Sequence, residues 1–143
     1  MTMREHMGLF RGKRVDNGEW VEGNLVDCPQ NFRCKRIVNF GCLSAGVITR
    51  WEQDVIPETV GECTGLTDKN GKLIFEGDIL EGYDFDADSG YGVVELYDGA
   101  FEVANDDWVG TFHENYRSFL FEIIGNVHDN PELVKGAGDD AAD

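Results

Sequence analysis

Residues 64–80 constrain the fold of this chain more than any other stretch. They read TGLTDKNGKLIFEGDIL, with glycines at positions 65, 71 and 77 and no apolar run longer than three residues. Glycine is a poor helix former, and Asn-Gly is a strong signal for a tight turn between strands. The stretch therefore predicts short strands joined by tight turns, in which Asp68 and Asp78 hydrogen-bond nearby backbone amides. The expected core side chains are Leu66, Ile74, Phe75 and Ile79.

Similar strand and turn signals recur along the rest of the chain. Apolar-rich or alternating runs predict strands at residues 19–26, 36–40, 46–51 and 119–127, and Asp98-Gly99 predicts a hairpin between residues 92–97 and 101–104. Helical signals are limited to a turn within residues 108–116 and a proline-initiated turn at 130–133. We therefore predict an all-β fold with little helix, a small, partly open SH3-like barrel or sandwich of short antiparallel strands.

The length of 143 residues suits one domain, or one domain with a small subdomain. We predict a flexible N-terminus at residues 1–7, an N-terminal β segment at 8–60, a C-terminal barrel-like β segment at 61–134 and a disordered acidic tail at 135–143. The sequence has no apolar run of about 18 residues and no secretory signal. We therefore expect a cytoplasmic protein whose four cysteines are free thiols.

Charge is unevenly distributed along the chain. The net charge is −16, yet residues 1–50 hold eight Lys/Arg against five Asp/Glu, whereas residues 73–116 hold twelve Asp/Glu and no Lys/Arg. An acidic surface repels phosphate, so direct nucleic-acid binding by this second region is disfavoured. The acidic region is either a solvated face or a patch for a basic partner, and the sequence leaves both alternatives open.

A basic cluster of Arg11, Lys13 and Arg14 lies close in sequence to Phe10 and Trp20. Cations mixed with aromatic side chains are typical of surfaces that bind single-stranded nucleic acid. The alternative is that these cations pair with the acidic half, either within one chain or between copies of it.

An acidic segment has the ligand spacing of a calcium loop. Asp84, Asp86, Asp88 and Glu95 stand at the first, third, fifth and twelfth positions of an EF-hand pattern. Ser89 occupies the position where that loop needs glycine, and the flanking residues predict strands, so we favour a solvated acidic loop and predict no metal site. No nucleophile elbow and no zinc knuckle occurs either. We expect no cofactor, no catalytic residues and no enzyme activity.

Residues 64–80 also closely resemble the signature of the YopX family, small proteins encoded by bacteriophages and prophages. The resemblance extends in the same order to residues 10–14 (FRGKR), 17–23 (NGEWVEG), 57–61 (PETVG) and 122–133 (EIIGNVHDNPEL), and covers residues 8–134. It implies an all-β fold with an N-terminal strand pair, a phage or prophage setting and a bacterial cytoplasm. It implies no catalytic residues.

The function predicted from these features is that of a phage or prophage accessory protein that acts through contacts with a host or phage protein, not with a membrane. The candidate contacts are Glu76 and Asp78 in the central stretch and Arg11, Lys13 and Arg14 in the basic cluster. Self-association of the chain is a further option. Two other classes stay open: a nucleic-acid-associated module that uses the basic first third, and an acidic mimic of DNA that inhibits a host DNA-binding protein.

Overall fold

A computed structural model describes residues 8–27, 35–42, 46, 48–82, 91–105, 109–111 and 121–134. These residues form eleven strands and two short 3-10 helices, at Pro57–Thr59 and Pro131–Leu133. The strands are β1 (Phe10–Lys13), β2 (Trp20–Asp27), β3 (Lys35–Cys42), β4 (Ile48–Val55), β5 (Gly61–Thr67), β6 (Leu73–Phe75), β7 (Asp78–Gly82), β8 (Tyr91–Tyr97), β9 (Ala100–Ala104), β10 (Val109–Thr111) and β11 (Phe121–Asn126). The predicted all-β class with little helix is confirmed.

The chain divides into two compact units between Cys63 and Thr64. In the first unit the strand order is β4-β3-β2-β1, with the start of β5 beside β1. The end of β1 also returns to β4, because Arg14 forms a β-bridge with Val55 and the Val15 N–H donates to the Asp54 carbonyl at 3.0 Å. The sheet therefore curls so that the end of β1 meets β4 at the opposite edge, as in a partly open barrel.

The first unit is packed around Ile37, Val38 and Val55, which are all buried. Two glycines let the strands approach this core. A Cβ added at Gly12 would lie 3.0 Å from Val55, and a Cβ added at Gly23 would overlap the carbonyl oxygen of Val38. At Gly23 the obstacle is backbone, which cannot rotate away, so this position requires glycine.

The second unit contains a five-stranded sheet in the order β10-β9-β8-β7-β11. Beside it in sequence, the second part of β5 is tied to β6 by the Thr64 hydroxyl, which donates to the Ile74 carbonyl at 2.8 Å. The core residues, which are at most 1 % exposed, are Ile74, Leu80, Val94, Val103 and Phe121. Leu66, Phe101 and Ile123 pack against them.

Two local predictions have opposite outcomes. Asp98 and Gly99 both adopt positive φ, 52° and 83°, and Tyr97 pairs with Ala100, so the predicted two-residue hairpin is confirmed. Of residues 108–116, within which a helical turn was predicted, the structure describes Val109–Thr111, and these form β10 rather than a helix; the rest lie outside the described residues. Pairing with β9 gives the backbone groups of β10 hydrogen-bond partners within the protein. In an isolated helical turn most of these groups would bond to water instead. The predicted N-terminal segment 1–7 and acidic tail 135–143 lie outside the described residues.

Within the described ranges, no helix has both the length and the apolar character needed to cross a bilayer.

Candidate functional site

The carboxylate of Asp68 organises the turn between β5 and β6. Its Oδ1 accepts hydrogen bonds from the backbone N–H groups of Asn70 and Lys72, both at 2.9 Å, and its Oδ2 accepts one from Ile123 of β11 at 3.0 Å. Asp68 is 4 % exposed. Because three backbone donors converge on this buried carboxylate, its interpretation as a turn-forming residue is confirmed, and it also ties the turn to β11.

Asp78 has the same role in the next turn. It is 2 % exposed, and its Oδ2 accepts a hydrogen bond from the backbone N–H of Phe75 at 2.7 Å. Gly77 adopts a φ of 93° here and donates its N–H to the Val94 carbonyl at 2.8 Å, which docks the turn on β8. The carboxylate of Asp78 is therefore not placed to contact a partner. Glu76 is partly buried in the same turn, and its contact role stays a prediction.

Strands β1 and β2 bring two of the predicted cations onto the predicted aromatic residue. Arg11 and Lys13 alternate along β1, and Lys13 is the register partner of Trp20 on β2. The Arg11 guanidinium lies 4.6 Å from the centroid of the Trp20 ring and the Lys13 ammonium 5.7 Å from it. Both distances fall within the range of a cation–π interaction, so the indole of Trp20 already contacts the protein's own cations.

Arg14 is held by an exposed acidic neighbour. Its Nε and Nη2 donate to the two carboxylate oxygens of Asp16 at 2.9 and 2.6 Å. The hydrogen bond from the guanidinium holds the pKa of the Asp16 carboxyl below its usual value, and the carboxylate raises the pKa of Arg14. Arg14 therefore forms an ion pair with Asp16 and is not an isolated cation.

Other cations of the first unit also pair with acids of the same unit: Lys35 with Asp27 (3.3 Å), Arg36 with Asp54 (2.8 Å) and Arg50 with Glu52 (3.4 Å). The excess of three cations counted over residues 1–50 falls to one when Glu52 and Asp54 are included, eight Lys/Arg against seven Asp/Glu. These three pairs take their acids from β2 and β4, and Arg14 pairs with Asp16, so none of the four pairs uses the acidic region at residues 73–116. A cleft of 410 Å³ beside this network is lined by Val15, Asp16, Arg36, Glu52, Gln53 and Asp54.

The structure describes only one of the four residues that have the spacing of a calcium loop. Asp84, Asp86 and Asp88 lie outside the described residues, whereas Glu95 is an exposed residue of β8. Among the residues that the structure does describe, no three His, Cys, Asp or Glu side chains are grouped so that they could hold a metal ion. The interpretation of residues 84–95 as a solvated loop without metal stays a prediction.

The outer face of β8, β9 and β10 combines like charges with exposed apolar side chains. Glu95 of β8 lies directly opposite Glu102 of β9, and two residues along the same face Tyr97 lies opposite Ala100. Val109 of β10 continues this face beside β9. Tyr97 is 66 % exposed and Val109 61 %. We call this surface, Glu95, Tyr97, Ala100, Glu102 and Val109, the Tyr97 face.

The Tyr97 face is not among the sites predicted from the sequence, although a signal for it was present. Once Asp98-Gly99 is accepted as a two-residue loop, counting outward from it pairs 97 with 100 and 95 with 102. The opposed glutamates could thus be found from the sequence. The contribution of Val109 could not, because it depends on β10.

The match to the family model described as YopX protein spans residues 9–135. The chain belongs to the YopX family. Its structure is also similar to the crystal structure of protein EF1440 from Enterococcus faecalis, with a TM-score of 0.54 and 27 % sequence identity over 88 % of this chain and 96 % of that chain. No curated protein matches the chain. The predicted family is confirmed, and the phage or prophage setting stays a prediction.

Proposed function

We propose that this YopX-family protein is a phage or prophage accessory protein, without enzyme activity, that binds a partner protein through the Tyr97 face. The partner would present a basic surface. The observation that carries the proposal is the directly opposed pair of Glu95 and Glu102 beside the exposed side chains of Tyr97 and Val109.

The opposed glutamates cost stability in the isolated hairpin. Like charges placed directly across two strands are destabilising. No Lys or Arg occurs in residues 73–116 to compensate them. A Lys or Arg side chain from a partner, placed between the two carboxylates, would turn this repulsion into attraction. The pair is therefore better suited to a complex than to the free protein.

The apolar part of the Tyr97 face has the composition of an interface centre. Tyrosine is enriched in binding surfaces because it offers a large rigid contact area together with a hydroxyl. Tyr97 projects at the hairpin end, 66 % exposed. Surrounding acidic residues would increase the association rate with a basic partner and make binding salt-dependent.

The two other classes have less support from the described residues. A nucleic-acid module needs cations available for phosphate, but the cations of the first unit that the structure describes face Trp20 or lie in ion pairs. A DNA mimic needs its acids on the surface, and Asp78, one of the twelve in the acidic region, is 2 % exposed.

Crosslinking mass spectrometry in cells that express the full chain tests the proposal. A specific partner should crosslink to the wild type, and the double variant Glu95→Gln/Glu102→Gln should lose at least tenfold of that signal. The matched control is Glu58→Gln/Glu132→Gln, which removes the same charge from two other exposed positions and should retain the partner. Since removing the repulsion should not destabilise the hairpin, an unchanged or raised melting temperature separates lost binding from lost folding. Equal loss in the control variant, or no specific partner, would refute the proposal.

A further inference from the structure

Within the described ranges, backbone hydrogen bonds cover the edge of β4 at its C-terminal end. β4 is the terminal strand of its sheet. There the Val15 N–H donates to the Asp54 carbonyl at 3.0 Å, and the Ile56 N–H donates to the Lys13 carbonyl at 2.8 Å. The backbone groups of Asp54 and Ile56 therefore point away from β3 and towards the chain that follows β1.

The same direction holds for alternate residues further along β4. The register between β3 and β4 is unbroken from Ile48 to Val55, so backbone groups alternate regularly between the two sides of the strand. The N–H and C=O groups of Arg50 and Glu52 therefore point away from β3 as well. Within the described part of the chain, no strand lies beside them on that side. An edge of this kind is a template for pairing with another strand.

We propose that β4 pairs with β4 of a second copy of the chain, antiparallel, about a twofold axis at Trp51. In this register Arg50 of each copy lies opposite Glu52 of the other. Both residues direct their backbone groups towards the partner strand, so each would donate one backbone hydrogen bond and accept one. The contact is isologous and closed, so it produces a dimer and not a fibre.

Charge selects this register over its neighbours. An axis at Arg50 would oppose two arginines, and an axis at Glu52 would oppose two glutamates, which is unfavourable in both cases. The axis at Trp51 instead forms two opposite-charge pairs. Arg50 and Glu52 already lie 3.4 Å apart within one chain, with side chains 56 % and 35 % exposed, so the dimer would extend an existing pair into a four-residue network.

Trp51 adds an aromatic contact on the opposite face of the ribbon. Its side chain is 48 % exposed. At the twofold axis it would meet Trp51 of the second copy in a non-hydrogen-bonded position, where cross-strand side chains lie closest together. The burial of two half-exposed indoles supplies the apolar part of the interface.

The extent of pairing is limited by Val15. Because Val15 already occupies the edge beside Asp54, the second copy has access only to residues 49–53. Five residues from each copy bury less than a standard interface, which takes about 800 Å² per partner. The dimer should therefore dissociate on dilution.

Sedimentation velocity of the full chain over a concentration series tests the proposal. The wild type should form a concentration-dependent dimer. Arg50→Glu alone and Glu52→Arg alone should each weaken self-association at least tenfold, because each places like charges opposite one another. An equimolar mixture of these two variants should associate again, since both opposed pairs then carry opposite charges. Glu58→Arg, an exposed charge change elsewhere, is the matched control and should dimerise as the wild type does.

Several outcomes would overturn the proposal: a wild type that stays monomeric throughout the series, a dimer that is insensitive to Arg50→Glu, or a mixture of well-folded variants that does not associate. Crosslinks from residues 48–55 to a foreign protein by an otherwise monomeric chain would assign the edge to that protein and equally refute self-pairing. Glu95→Gln/Glu102→Gln should leave dimerisation unchanged. Failure of the dimer and failure of the Tyr97 face are therefore distinguishable.

Discussion

Replacing Asp68 by asparagine tests whether one buried carboxylate joins the central turn to β11. In Asp68→Asn the side-chain oxygen still accepts from Asn70 and Lys72, but the new amide nitrogen faces the Ile123 N–H, which is also a donor. The lost hydrogen bond leaves a buried donor unsatisfied, at a cost of about 1–3 kcal/mol. The two remaining bonds lose their charge assistance, which adds about 1 kcal/mol. We therefore expect the free energy of unfolding to fall by about 2–4 kcal/mol.

Denaturant unfolding, together with amide hydrogen exchange, measures this effect and its location. The expected signature is a lower transition midpoint with an unchanged slope, and faster exchange of the Ile123 amide. Asp16→Asn is the matched control, because it makes the same chemical change at an exposed carboxylate and should shift the unfolding transition far less than Asp68→Asn does. A loss below about 0.5 kcal/mol, the range of ordinary surface substitutions, would refute the reasoning, as would full protection of Ile123 in a destabilised variant.

Further predictions concern both units. Gly23→Ala should lower the free energy of unfolding by about 1–3 kcal/mol, because its Cβ overlaps the Val38 carbonyl, and an unchanged melting temperature would contradict this close approach of β2 and β3. In an NMR titration the pKa of Asp16 should lie below its ordinary value and should rise in Arg14→Gln. Because the folded-state pKa is lowered, the pair stabilises the fold at pH values above the unfolded-state pKa of Asp16. This contribution is lost as pH falls through the folded-state pKa. Glu102→Lys should raise the melting temperature by pairing with the opposed glutamate, yet abolish binding of the partner, and retained binding would count against the Tyr97 face. The full chain should not be retained on single-stranded DNA at physiological salt, and tight retention would show that its paired cations exchange readily for phosphate.

Local signals predicted local structure well. Asp98-Gly99 specifies its hairpin because two consecutive residues must adopt positive φ, and few residue pairs do so at low cost. In the central stretch, Gly71 adopts a φ of 82° as the Asn-Gly signal requires, whereas Asn70 is not among the described residues with positive φ. The turn between β5 and β6 was thus predicted correctly as a turn, although not in its detailed type.

Contacts between residues far apart in sequence could not be predicted from local sequence patterns. The hydrogen bond between Asp68 and Ile123 joins residues 55 positions apart, and the Arg14–Val55 bridge depends on how far the first sheet curls. Neither follows from turn chemistry or periodicity, which act over a few residues. The pairing of Arg36 with Asp54 likewise depends on the register between β3 and β4.

The two units differ in the charges that face each other across neighbouring strands, and this difference is relevant to function. In the first unit Lys35 lies opposite Asp27 and Arg36 opposite Asp54, so equivalent positions on neighbouring strands carry complementary charges. At the corresponding position of β8 and β9 the chain carries two glutamates, although one lysine would stabilise the hairpin. Because the same chain places complementary charges across other strand pairs, a lysine at position 95 or 102 would also be compatible with its fold. In line with the role proposed for the Tyr97 face, we infer that this opposed pair serves a partner, whose cation would lie between the two carboxylates.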